Sequence, residues 1–228
     1  TPLKRVNQRF VPISWDEALA MVTGRLKQLQ EDQNPEALAC ITGSAQGSVP
    51  GLFNHFMAAF GSPNCLTMPD LESWLVLTAT TLHGPKQTLG FDIDHSDYIL
   101  SFGAGLIDGW GSPVACIQAM AGRKQREATL VQIEPRLSNT AAGADRWIPV
   151  KPGTEADLAM GMCAVLLKEN LFDPGFAQGF EGGFMRFTAM VQKEYPLDKV
   201  AVVTGIDAAD IQKTAIAFAK AKMPVALP

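Results

Sequence analysis

Two stretches of the chain combine a cationic side chain, a hydroxyl and an acid in the manner a phosphorylated ligand requires. Glu134-Pro135-Arg136-Leu137-Ser138-Asn139-Thr140 and Lys151-Pro152-Gly153-Thr154-Glu155 each follow an apolar run and lead into a helical pattern. Arg136 offers a planar fork of donors that matches phosphate. Glu134, an acid at a strand end, can accept hydrogen bonds from ribose hydroxyls, which is the logic of a dinucleotide-binding unit. Thr154 and Glu155 start a helix, and capping alone also accounts for them. A third stretch, Gly103-Ala104-Gly105 with Gly109 and Gly111, lets backbone amides come close to an anion at a helix N-terminus. Its spacing is not G-x-G-x-x-G, and tight turns with no ligand explain these glycines equally well.

These residues have to be positioned by strands and helices, and the pattern supplies both. Apolar runs at Ala37–Thr42, Tyr98–Phe102, Thr129–Ile133 and Arg146–Val150 predict strands, the first of them buried. Ser14-Trp15-Asp16-Glu17 is a capping box opening an amphipathic helix to about Gln30. Further helices are predicted through Phe53–Phe60, over Leu71–Leu82 and Pro113–Gly122, from Thr154 (a second capping box with Asp157) to Lys168, and near 184–194 and 208–221. Strands alternating with helices mean crossover connections, so the fold class is α/β, with largely parallel sheets and helices on both faces. In such sheets ligands bind outside the carboxyl ends of the strands.

Composition bounds the function. Of 228 residues 47% are hydrophobic and 18% charged, too apolar for disorder, and 19 basic against 23 acidic residues give a net charge of −4. That balance argues against generic nucleic-acid binding. The uncharged run Leu158–Leu167 is half the ~20 residues of a membrane helix. Cys40, Cys65, Cys116 and Cys163 lack C-x-x-C spacing, and Cys40, Cys116 and Cys163 read as inert buried thiols. His55, between Phe53 and Phe56, reads as a core histidine. Thr1-Pro2-Leu3-Lys4-Arg5 has neither an initiator Met nor a signal-peptide core, so the chain reads as an interior piece of a longer polypeptide.

Ile133-Glu134-Pro135-Arg136-Leu137-Ser138-Asn139-Thr140-Ala141-Ala142, followed by Ala144-Asp145-Arg146-Trp147-Ile148-Pro149-Val150-Lys151-Pro152-Gly153-Thr154, resembles the molybdopterin oxidoreductases of the dimethyl sulfoxide reductase type. Lys4-Arg5-Val6, Pro12-Ile13-Ser14-Trp15-Asp16-Glu17-Ala18-Leu19 and Phe60-Gly61-Ser62-Pro63-Asn64 match the same family in the same order. Nearly the whole chain is covered, and the thiosulfate, polysulfide and tetrathionate reductase branch is the nearest in character. The resemblance implies the middle of a large catalytic subunit that carries two molybdopterin guanine dinucleotides around molybdenum or tungsten. Residues 1–70 would be the first part of the family's second α/β domain. Residues 71–228 would be an inserted, Rossmann-like nucleotide-binding domain. A four-iron, four-sulfur cluster would lie in an N-terminal region outside this chain. An iron–sulfur partner subunit, a membrane quinone-binding subunit and a periplasmic location are implied in the same way.

Carried over by position, Gly103 and Gly105 would approach a pyrophosphate, Glu134 and Arg136 the guanosine ribose and phosphate, and Thr154 with Glu155 the guanine end, with Thr140 and Gly153 also cofactor-binding. The family's metal ligand falls about eight residues beyond the asparagine of Gly61-Ser62-Pro63-Asn64, which here is Glu72, with Asp70 and Ser73 as neighbouring oxygen donors. A glutamate departs from the family's habit, and the alternative is that Asp70 and Glu72 complement the dipole of a helix's first turn. The loop after Phe102 also lacks the polar residue that relatives often place near Gly105. Together these departures leave open a relative without the metal cofactor, acting as a structural or electron-conducting subunit of a menaquinone reductase complex.

Overall fold

The structure, a computed structural model, describes residues 1–43, 47–68, 71–84 and 89–228, with the side chains of Leu71, Glu72, His83 and Glu181 outside that set. The chain forms two compact units, Thr1–Leu89 and Gly90–Pro228.

The first unit opens with a hairpin of β1 (Leu3–Val6) and β2 (Arg9–Pro12), turned by Asn7 and Gln8 at φ 48° and 66°. Positive φ at both central residues matches the right-handed twist of a two-residue hairpin. Helix α1 (Trp15–Glu31) follows, and Ser14 Oγ accepts the Glu17 amide at 3.1 Å, as the capping motif requires. The reciprocal half of the box is replaced: the Glu17 carboxylate accepts from Lys4 Nζ at 3.2 Å. Strand β3 (Cys40–Thr42) leads to α2 (Ser48–Phe60), and β4 (Cys65–Thr67) leads to α3 (Leu71–His83). The predicted strand over 37–42 is shortened because Pro35–Ala37 closes a 3-10 turn. It is also not buried within this unit, since Ile41 is 71% exposed. His55 is exposed, which corrects its reading as a core residue.

The strands β3 and β4 pair in parallel, and the segment between them explains why. Gly61, at φ 94°, stops α2 in the left-handed conformation that favours glycine. Ser62 Oγ then donates to the Leu38 carbonyl at 2.6 Å, and Asn64 Nδ2 to the Glu36 carbonyl at 2.6 Å. The Cys40 amide donates to the Asn64 carbonyl at 2.9 Å, so the turn lays β4 beside β3 in a single register.

The second unit contains β5 (Tyr98–Phe102), α4 (Pro113–Arg123), β6 (Thr129–Ile133), α5 (Asn139–Ala142) and β7 (Arg146–Ile148). Helices α6 (Glu155–Lys168), α7 (Pro174–Gly179), α8 (Glu181–Glu194), α9 (Leu197–Thr204) and α10 (Ala208–Lys220) come next, and β8 (Pro224–Leu227) ends the unit. The sheet is parallel throughout, in the order β7-β6-β5-β8. Leu100, Val131, Ile133 and Ile148 pack with Leu158, Val200 and Ile211 of α6, α9 and α10. Ile99, Leu130 and Leu227 pack on the opposite face with Cys116 and Ala119 of α4. The α/β class with helices on both faces therefore holds. Sequence reasoning missed β8, a four-residue strand that begins with proline. Its place is fixed by Asp97, whose carboxylate accepts the amides of Lys222 and Met223 at 2.9 Å each. Those two bonds hold the Asp97 carboxyl below its ordinary value.

Candidate functional site

The chain steps outward from β5 to β6 to β7 and then returns to place β8 on the other side of β5. The connections diverge at the carboxyl ends of β5 and β8, the switch point at which open α/β sheets bind ligands. The loop after β5 begins there with Gly103, exposed and at φ 87°, with no atom within 4 Å of where a Cβ would stand. It is an open stretch of backbone that an L side chain would both strain and cover. Gly105 turns inward instead: a Cβ there would meet Asp108 Cβ at 3.1 Å, and its carbonyl accepts the amides of Asp108 and Trp110. Beneath the loop, the Ala104 carbonyl accepts from Ser101 Oγ and from Gln132 Nε2. Gln132 Oε1 and Trp110 Nε1 are buried and have no hydrogen-bond partner among the described residues.

The loop after β6 is stitched to the loop after β5. Asp108 Oδ1 accepts from Asn139 Nδ2 at 2.7 Å, and its Oδ2 accepts from the Thr140 hydroxyl at 2.8 Å and the Thr140 amide at 3.2 Å. Thr140 Oγ also accepts the Ile107 amide at 3.1 Å. Thr140 is thus fully buried with its hydroxyl engaged twice inside the protein, and its part is to join the two loops. The hydroxyl of Thr140 and the amide of Asn139 hold the Asp108 carboxyl below its ordinary value. Asp108 is a residue that sequence reasoning missed, although an acid in a glycine-rich loop was the available signal.

Glu134 stands at the end of β6, only 9% exposed, with its Oε1 accepting from the Ser138 hydroxyl. Ser138 Oγ in turn accepts the Ala141 amide and caps α5. Trp147 Nε1 donates to the Glu134 carbonyl at 2.9 Å, which fixes the backbone on its other side. Glu134 Oε2 makes no hydrogen bond among the described residues. Arg136 is exposed, and its charge reaches Asp108, but its guanidinium makes no hydrogen bond or ion pair among the described residues. The structure therefore leaves one oriented carboxylate oxygen and one free cationic fork on the same loop.

At the third loop, Gly153 is exposed at φ 78° with open space beyond its Cα. The expected second capping box does not form: Thr154 Oγ donates back to the Lys151 carbonyl at 2.7 Å instead of accepting from α6. The amides of Glu155, Ala156 and Asp157 consequently find no acceptor among the described residues, at the positive end of a 14-residue helix. Lys151, the cation of this loop, faces elsewhere. Its ammonium donates to the Val202 carbonyl at 3.0 Å and completes the C-terminus of α9.

The structure brings Gly103, Gly105, Glu134, Arg136, Thr140, Gly153, Thr154 and Glu155 to one edge of one sheet. That donor set fits a nucleotide phosphate and ribose: open backbone at Gly103, a free arginine fork, a held carboxylate and a helix start with unpaired amides. Asp70 lies outside the described residues. Glu72 lies in the first turn of α3, with its side chain outside them. Among the described residues no cluster of three or more His, Cys, Asp or Glu side chains is placed to hold a metal ion, and no helix is long and apolar enough to cross a membrane.

A family model described as molybdopterin oxidoreductase matches residues 1–226. The chain is 35% identical over 231 residues to the menaquinone reductase, molybdopterin-binding-like subunit of Nitratidesulfovibrio vulgaris, covering 99% of this chain and 32% of that protein. It is 28% identical over 200 residues to the thiosulfate reductase molybdopterin-containing subunit of Salmonella typhimurium, covering 86% of this chain and 26% of that one. The solved structure of acetylene hydratase from Pelobacter acetylenicus superposes with a TM-score of 0.75 at 30% identity, over 99% of this chain and 31% of that one. The chain thus spans between a quarter and a third of the length of these relatives.

Proposed function

The chain belongs to the molybdopterin oxidoreductase family, and on that premise we propose that it is the central portion of the large subunit of an oxidoreductase that depends on molybdopterin guanine dinucleotide. The observation that carries the reading is the convergence of three loops on the carboxyl edge of β5, β6 and β7, each offering a group suited to one part of a nucleotide. Arg136 takes a phosphate through its free fork. The open backbone at Gly103 lets the diphosphate approach without a side chain in the way. Glu134, oriented by Ser138 and Trp147, accepts from a ribose hydroxyl through its remaining oxygen. The unpaired amides at the start of α6 receive the polar edge of the base or a phosphate oxygen. Thr140 and Asp108 keep the first two loops in place.

When bound, the cofactor supplies two-electron redox chemistry at molybdenum or tungsten, acting on a small oxyanion or sulfur compound. Glu72, or Asp70 beside it, is the proposed oxygen ligand of the metal. Iron–sulfur partners, a membrane quinone-binding subunit, a four-iron cluster elsewhere in the polypeptide and a periplasmic location complete this proposal.

A second reading has its own support. The relative at 35% identity is described as molybdopterin-binding-like, and this chain carries glutamate at the position of the metal ligand. On that reading the protein is a metal-free scaffold or electron-transfer subunit of a menaquinone reductase complex. One experiment separates the two: elemental analysis of the full-length native protein, with assay of guanine nucleotide and pterin released on acid treatment. Near-stoichiometric molybdenum or tungsten together with pterin guanine dinucleotide is expected for the enzyme. An active respiratory complex containing neither establishes the scaffold.

A further inference from the structure

We infer that Cys40, read from the sequence as an inert buried thiol, and Cys65 form one oxidisable dithiol that closes to a disulfide across β3 and β4. The two residues are direct register partners in the parallel pair. Neighbouring strands lie ~4.8 Å apart, inside the ~4.4–6.8 Å between Cα atoms that a disulfide spans. The side chains share a face. Two residues along the same strands, Thr42 Oγ donates to Thr67 Oγ at 3.1 Å, which shows that partner side chains on that face meet. Burial first, and then the neighbouring Cys40 thiol, push the Cys65 thiol up, so the two side chains feel each other. Both are half-buried, within reach of a small reagent, and both are free in this structure.

The register does not depend on the sulfur atoms. It is set by Ser62 on Leu38, Asn64 on Glu36 and the Cys40 amide on Asn64, so the reduced pair is held ready rather than brought together by oxidation. The other two cysteines lack this arrangement. Cys116 is buried against the Trp110 carbonyl, and Cys163 lies on α6, where burial pushes its thiol up.

The step balances with a small external disulfide as oxidant. The thiolate of one cysteine attacks a sulfur of that disulfide, breaking its S–S bond and releasing one thiolate. The second cysteine gives up its proton and attacks the protein sulfur of the mixed disulfide, releasing the second thiolate. Two protein thiols are oxidised by two electrons, and the external disulfide is reduced to two thiols. The product ties the strand that leads into α2 to the strand that leads into α3.

The sequence offers a direct readout. Cleavage after Lys27 and Lys86 gives the peptide 28–86, which has no internal Lys or Arg before its end and contains Cys40 and Cys65 as its only cysteines. The full-length native protein is treated with oxidised glutathione, quenched by alkylation under denaturing conditions, digested with trypsin and weighed. The expected peptide has lost two hydrogens and carries no alkyl group, and it takes up two alkyl groups after prior reduction. In the Cys65→Ser variant, Cys40 is expected to retain a glutathione adduct because no second thiol resolves it. A wild-type peptide that takes up two alkyl groups after oxidation, keeps glutathione on either cysteine, or appears cross-linked to Cys116, Cys163 or another molecule overturns the inference. The wild-type peptide decides the question by itself if the variant does not fold.

Discussion

In the first unit the parallel pair β3–β4 leaves Ile41 and Leu66 71% and 60% exposed, whereas in the second unit β5 and β6 are buried along both faces. The two units use the same local device, a parallel strand leading into a helix, and stabilise it differently. Strands buried on both sides read as continuous apolar runs, and packing of both faces holds them in the sheet. Side chains at their carboxyl ends are then available to shape loops, as Asp108, Glu134, Ser138 and Thr140 do. A pair buried on one side has alternate residues facing out, and its alignment rests on the polar turn of Ser62 and Asn64. The contrast predicts that the second unit is sensitive to packing and buried charge, and the first to its hydrogen-bonded turn.

The largest effect is expected at Arg123. Its guanidinium is buried and pairs with Asp145, and it also donates to the carbonyls of Ala128 and Gly143, while Asp145 accepts the Leu130 amide of β6. Arg123→Ala leaves the Ala128 and Gly143 carbonyls without this donor and half-exposed Asp145 with only the Leu130 amide, and the two unpaired carbonyls together cost about 3 kcal/mol. Hydrogen exchange by mass spectrometry should show faster exchange across β5 and β6 and no change in β3 or β4. Faster exchange in both units alike removes the distinction. A smaller loss is expected for Gly161→Ala on α6, where a Cβ would stand 2.6 Å from Val200 Cγ1 of α9. Overpacking of this kind costs roughly 1–3 kcal/mol, read as a lower urea midpoint.

The second unit was the more legible from sequence, and for the same physical reason. Tyr98–Phe102 and Thr129–Ile133 are found at their predicted limits, because residues buried on both sides must nearly all be apolar. Ala37–Thr42 misled, since an apolar run does not distinguish a 3-10 turn at Pro35–Ala37 from a strand. The hairpin at Asn7-Gln8 and strand β8 were missed: the one lacks glycine in its turn, and the other is identified only by Asp97, more than a hundred residues earlier. At the candidate site the residue types could be read but not their orientations. Nothing in Lys151-Pro152-Gly153-Thr154 says that the lysine caps α9 or that the threonine hydroxyl turns away from α6. The Cys40–Cys65 pairing was invisible for a related reason, because register between strands is set by the intervening turn and not by spacing.

Asp108 gives an intermediate effect with a pH signature. Its carboxyl lies below the ordinary value because Thr140 and Asn139 hydrogen-bond its charged form. A group whose pKa is depressed in the folded state contributes stability above its unfolded pKa, and that contribution is lost as pH falls through the folded value. The loop contact should therefore be constant at neutral pH and weaken below about pH 4. Asp108→Ala abolishes three hydrogen bonds in one residue. In the full-length protein it should lower nucleotide retention at neutral pH and remove the additional acid-induced exchange at Thr140 and Ala141. An acid response that persists in Asp108→Ala places its origin in another carboxylate, with Asp97 the next to test.

The smallest effect is the sharpest test of the first unit. Thr42 Oγ donates to Thr67 Oγ on the half-buried face of the β3–β4 pair. In Thr67→Val the Thr42 hydroxyl loses its acceptor, at a cost of about 1 kcal/mol. In Thr42→Val with Thr67→Val both polar atoms go, the shape is kept, and the β-branched pair still suits a strand. The double variant should therefore be closer to the wild type than the single one, with amide exchange in β3 and β4 restored. If the double variant is instead worse than the single, the hydroxyl pair does more than satisfy itself, and the alignment of the two strands depends on it as much as on the turn at Gly61–Asn64.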